Sequence, residues 1–173
     1  MRSLLVATAL AVLVVGCTTS VMIESTRSSR PAASTGGLVN VGLQRVADAR
    51  PVRSEEATIG IAFDAGQATA LVTEPPSIDY ASQALLCVAL GERSTGGWSV
   101  TIQSITLDGA EMSILAREAR PRAGTGTTHA ATYPADCAVI DRTVLPVGEL
   151  MVRADDTISD EFIVDATIDV PAR

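Results

Sequence analysis

From Ala57 to Val170 the apolar residues recur at alternate positions or in short unbroken runs. Nowhere after Val52 does a 3.6-residue period persist beyond two turns. A chain patterned this way builds sheets. Thr58–Phe63 alternates weakly, and Thr69–Thr73 is short and apolar. Gln83–Leu90 (QALLCVAL) is nearly continuous, which predicts a strand covered on both faces. Trp98–Leu107, Ala110–Ala116, Cys137–Val144, Glu149–Arg153 and Glu161–Val170 alternate, with Gly, Pro and Asp clusters between them. Before them, Leu38–Val52 is ambiguous, with moderate apolar content that admits a short helix over Leu43–Ala49 stopped by Pro51. The expected fold is all-β: a single small antiparallel sandwich or barrel over residues 41–173. An immunoglobulin-like arrangement is among the sandwiches that fit.

One hairpin can be read in register. Asp108-Gly109 is a strong two-residue turn signal, and it pairs Leu107 with Ala110 and Ile105 with Met112. Trp98, Val100 and Ile102 then have the wrong parity to share a face with Ile105 and Leu107. A one-residue bulge near Gln103-Ser104 restores it, setting Ile102 opposite Ile114 and Val100 opposite Ala116.

The first residues carry a different signal. Arg2 precedes the apolar run Leu4–Val15, which is too short to span a bilayer comfortably. The run ends in Val14-Val15-Gly16-Cys17, which resembles the bacterial lipobox. Residues 1–16 are therefore expected to be a lipoprotein signal peptide, with lipid carried by Cys17. Residues 17–40, rich in Ser, Thr and small side chains, read as a flexible tether; twenty such residues reach about 25 Å. The expected setting is the cell envelope, with the domain membrane-anchored and facing the periplasm or the exterior. Thr18, standing where a sorting aspartate would hold a lipoprotein back, slightly favours the outer membrane.

Composition narrows the partners. The chain carries 13 basic and 20 acidic residues, net −7, and none of the bases is lysine. Removing Arg2 with the signal leaves 12 − 20, or −8. An acidic chain without a basic stripe is unsuited to nucleic acid. With Cys17 committed to lipid, Cys87 and Cys137 remain in an oxidising compartment, and a single disulfide between them is the simple reading.

A family resemblance lies over about residues 76–145. Gly91, Thr95, Gly96, Gly97 and Trp98 follow an apolar strand and precede an alternating one. Asp108-Gly109, Gly124-Thr125-Gly126 and Thr132-Tyr133-Pro134 come after them in order. This set resembles the protease complex subunit PrcB C-terminal domain family. Trp98 stands where tyrosine is commoner, and Ala135-Asp136-Cys137 replaces a more apolar stretch. The family takes its name from a lipoprotein subunit of a surface protease complex. The resemblance therefore implies a lipid-anchored, non-enzymatic protein that binds or stabilises a partner protein. The alternative is a chagasin-like protease inhibitor, because Ser94-Thr95-Gly96-Gly97-Trp98 and Gly124-Thr125-Gly126-Thr127 are similar to two of that family's loops; its Arg-Pro-Trp third loop is missing.

The loop Arg93, Ser94, Thr95, Gly96, Gly97, Trp98 is the candidate partner-binding element. Its double glycine permits close backbone approach, and Trp98 is expected to pack inward while Arg93, Ser94 and Thr95 project. No nucleophile elbow, HExxH or Walker loop is present. His129, the only histidine, reads as a surface residue. Asp155-Asp156 with Asp160-Glu161 lacks the spacing of a calcium loop and reads as a solvated turn. No catalytic residue, metal site or cofactor is expected.

Overall fold

A computed structural model describes residues 37–46, 49–122, 124, 126 and 128–173. The expected signal peptide, Cys17 and the tether up to residue 36 lie outside the described residues, as do Thr125 and Thr127 of the Gly-rich segment.

Among the described residues, nine strands form two sheets. One sheet has the order β1-β5-β6-β8-β9: β1 (Val39–Asn40), β5 (Ser99–Asp108), β6 (Glu111–Ala119), β8 (Gly148–Asp156) and β9 (Phe162–Val170). The other has the order β2-β7-β4-β3: β2 (Leu43–Arg45), β7 (Ala135–Asp141), β4 (Gln83–Ala89) and β3 (Thr58–Ala62). The sheets face each other as a sandwich. Ile102, Ile105, Met112, Ile114, Leu150 and Val152 of the first meet Ala84, Leu86, Val88, Ala138 and Ile140 of the second in one apolar core. All pairings are antiparallel except β6 with β8, which is parallel. The topology requires that exception: after β6 the chain crosses to the other sheet as β7, then returns as β8 in the direction of β6.

Gln83–Leu90 is covered on both faces, as its unbroken apolar run requires. Leu86 and Val88 enter the main core, while Leu85 and Cys87 join Val139, Cys137, Ala68 and Val72 in a second cluster on the far side. The outer layer there includes α1 (Ala65–Leu71), where an additional strand over Thr69–Thr73 was expected. Asp64 overrides the apolar content: its carboxylate accepts the Gln67 N–H at 2.7 Å and caps the helix. The Gln67 side chain in turn accepts the Phe63 N–H at 2.8 Å. Only Val72 keeps a strand-like contact, a bridge to Pro51.

The expected helix over Leu43–Ala49 is also corrected, since Leu43–Arg45 is β2. Its backbone groups pair with Ile140, Val139 and Ala138, and that edge outweighs the weak helical preference of a segment this short. β1 and β2 are one stretch of chain that switches sheets within a few residues. At the switch Asp136 accepts the Ile102 N–H at 2.8 Å, and Arg45 donates to the Ile102 carbonyl at 2.8 Å. Two side chains thereby satisfy the β5 edge beyond the end of β1.

The β5–β6 hairpin has the expected bulge, between Ile102 and Ser104. Its register is two residues away from the expected one: Leu107 pairs with Met112 and Ile105 with Ile114. Asp108 pairs with Glu111, so the two-residue loop is Gly109-Ala110, with Gly109 at φ 60°. A type II′ loop needs positive φ only at its first residue, and glycine stands there. A slip of two preserves the face, so Val100, Ile102, Ile105, Leu107, Met112, Ile114 and Ala116 all point inward as expected.

Candidate functional site

The loop after β4 is fixed by its own chain. Gly91 has φ +78°, and a Cβ there would lie 2.7 Å from the Glu55 carbonyl oxygen. Arg93 and Thr132 exchange backbone hydrogen bonds of 2.8 and 2.9 Å. The Gly96 N–H donates to the Thr128 carbonyl at 3.0 Å, and the Thr132 hydroxyl donates to the Thr95 carbonyl at 2.8 Å. The close approach that Gly96 permits is thus used by residues 128–132 of the same chain, where a Cβ would strike Thr128 Oγ1. Gly97 follows at φ +88° against Pro121.

Trp98 is not a core residue, which corrects the inward placement expected for it. It is half-buried, and its indole N–H donates to Thr95 Oγ1 at 3.2 Å. The Arg93 and Arg120 guanidinium carbons lie 5.3 and 5.9 Å from its ring centroid. Such cation–π contacts favour a desolvated ring face over an open one. Arg93 does not project freely either: it is half-buried and donates to the Leu90 carbonyl at 2.7 Å. Ser94 and Gly97 are the exposed residues of the loop.

The structure brings this loop against the acid cluster. Arg93, Trp98, Arg120, Glu118, Glu161 and Phe162 line one open cleft of about 380 Å³. Arg120 crosses it, donating to Glu161 at 2.9 Å and Glu118 at 3.3 Å, and both carboxylates raise the pKa of its guanidinium. Arg93 has no carboxylate partner among the described residues. The cleft therefore offers one guanidinium available for pairing, an aromatic face, and exposed backbone at Ser94 and Gly97. Beside the loop, Tyr133 donates to Glu92 at 2.9 Å, which raises the pKa of its phenol.

The acid cluster itself is a built turn. Asp155 is bound to Arg153 at 2.8 Å. Asp160 takes φ 53°, a turn conformation that Asp tolerates. Asp156 is 5% exposed and accepts the Glu118 N–H at 2.9 Å, the Ser159 N–H at 2.9 Å and the Ser159 hydroxyl at 2.8 Å. Burial pushes its pKa up, but these bonds, with a further one from the Ile158 N–H, outweigh it and hold the carboxyl below its ordinary value of 3.8. A lowered folded pKa means the unfolded chain binds the proton more readily. The stabilisation is therefore complete above the ordinary value and is lost as pH falls through the folded one. Acid titration followed by the β8–β9 amide signals should show this turn opening only below about pH 3.8. Asp156→Asn should loosen the turn at every pH and remove this acid transition, because the amide does not titrate.

Cys87 and Cys137 are directly opposite across β4 and β7 and are joined by a disulfide, with Cα atoms 4.2 Å apart. His129 is exposed on the segment that flanks the loop. Among the described residues no group of His, Cys, Asp and Glu is arranged to hold a metal. Arg120, Glu118 and Phe162 join the cleft without a signal in the sequence. They stand 20 to 64 positions beyond Trp98, and only the antiparallel return of β6 and the β8–β9 turn carries them there.

The PrcB C-terminal family matches residues 84–141, which run from β4 through β7 and include the whole Arg93–Trp98 loop. No curated protein and no solved structure matches the chain significantly.

Proposed function

We propose, from a segment over residues 84–141 that carries the PrcB C-terminal family pattern, that the protein is a lipid-anchored, non-enzymatic envelope protein. Its sandwich binds or stabilises a partner protein, of the kind found in a surface protease complex. The observation that carries this reading is the position of the matched segment: it contributes the loop Arg93–Trp98 and the guanidinium of Arg93 to the mouth of the cleft. A rigid sheet presenting such a loop suits recognition. Binding by the cleft adds a carboxylate-bearing partner to Arg93 and stacks the partner against Trp98.

The anchor is tested at Cys17. The wild type should partition into the detergent phase of an envelope extract, whereas Cys17→Ala should stay aqueous or retain its apolar leader. Detergent partition of a Cys17→Ala protein cut free of residues 1–16 would count against lipidation.

The chagasin-like reading keeps one supporting observation: Thr128, just after the Gly-rich segment, lies against the loop Arg93–Trp98 through the Gly96–Thr128 hydrogen bond. Papain inhibition by the purified full chain would favour it over partner binding; unaffected papain activity favours the leading reading.

A further inference from the structure

The two sheets differ in what covers their outer faces. The four-stranded sheet is backed by α1 and by the apolar side chains of Val46, Ala49, Ile78 and Tyr80. The outer face of β6, β8 and β9 has no such layer among the described residues. There Leu115 is 45% exposed, Met151 45% and Phe162 52%, although residues one place along each strand are in the core. Cross-strand register sets Leu115, Asp155 and Phe162 in one row, Ser113, Arg153 and Asp165 in the next, and Glu111, Met151 and Thr167 in the third. A shallow groove of about 580 Å³ runs between these strands.

Charge decides what fits this groove. Glu111, Asp165 and Asp169 are exposed around Met151, and Glu149 and Asp108 extend the same rim. Arg153, the base within the groove, is neutralised by Asp155, and Arg117, beyond Leu115 at one end of the same face, is outnumbered by these acids. A second copy presenting the same face would set acid against acid, and an anionic lipid surface is repelled for the same reason. We infer that the outer face of β6, β8 and β9 docks a partner protein whose contacting surface carries Lys or Arg around an apolar side chain. The apolar centre seats on Leu115, Met151 and Phe162, while the bases pair with the acidic rim. This surface is distinct from the loop cleft and borders it at Phe162.

Two probe peptides of alternating Leu-Lys and Leu-Glu test the inference, with binding to the immobilised full chain read at about 0.15 M salt, where charges on distant surfaces are screened. The Leu-Lys peptide should bind and the Leu-Glu peptide should not. The variant Glu111→Lys/Asp165→Lys/Asp169→Lys should weaken Leu-Lys binding by about tenfold or more, as expected for reversing complementary charge. The variant Glu55→Lys/Glu56→Lys/Glu74→Lys has the same net charge on another surface and should change binding less than about twofold. Met151→Ser should weaken binding through the apolar centre without altering charge, and Arg93→Ala should leave it intact, which separates this surface from the cleft. Equal weakening in both triple variants, or equal binding of the two peptides, would overturn the inference.

Discussion

Arg142→Ala should destabilise the domain by about 3–5 kcal/mol, read as a lowered urea midpoint with an unchanged slope. Arg142 follows β7 in a 3-10 turn and is only 8% exposed, yet no carboxylate faces it among the described residues. Its two terminal nitrogens donate to backbone carbonyls instead, while Nε is buried without a partner. The guanidinium donates to Tyr80 O at 2.8 Å, Pro171 O at 3.2 Å, Phe63 O at 3.4 Å and Ala172 O at 3.5 Å, and lies 5.2 Å from the Phe63 ring centroid. One side chain thus ties together the end of β3, the approach to β4 and the residues after β9. Truncation leaves those carbonyls without their donor, the Phe63 carbonyl in a buried place and the others partly buried, and each buried loss costs roughly 1–3 kcal/mol. Arg142→Lys keeps the charge but lacks the planar fork, so it should fall between the two. A wild-type midpoint for Arg142→Ala would show that solvent replaces the guanidinium at no cost.

Reducing the Cys87–Cys137 disulfide should cost about 3–4 kcal/mol in the chain-entropy account, because the bond closes a loop over a sequence separation of 50. The bond also staples β4 to β7 at the centre of the second apolar cluster. Cys87→Ala/Cys137→Ala should lose a similar amount, since both small side chains leave little cavity. Alkylation of the denatured wild type should label neither thiol until reductant is added. Equal urea midpoints with and without reductant would contradict the stabilising role.

The residues that could be read in advance are those whose environment follows from local pattern. The inward face of β5 and β6 was legible because alternation and one bulge fix parity, and parity survives a two-residue slip. The exact register was not, because Asp108-Gly109 and Gly109-Ala110 are both acceptable loops and only cross-strand packing chooses between them. The helix Ala65–Leu71 was missed because its two full turns carry few large apolar residues, and its signal was the cap at Asp64. β2 was missed because three residues gain their structure entirely from the β7 edge. The loop Arg93–Trp98 was legible as a tight, glycine-dependent connection. That Gly96 serves a contact with Thr128, and that Trp98 gains a second arginine from position 120, depends on returns of the chain that no local spacing encodes.

Recovery of a partner from detergent-solubilised envelope, by the full chain and by an Arg93→Ala/Ser94→Ala variant shown to be folded, tests the proposed role of the cleft most directly. Losing the Arg93 bond to Leu90 should cost only about 1–2 kcal/mol, so the variant should remain folded. The proposed role predicts a partner recovered by the wild type and reduced by about tenfold or more in the variant, as for loss of an interface arginine. Equal recovery by the two proteins would contradict binding at this loop.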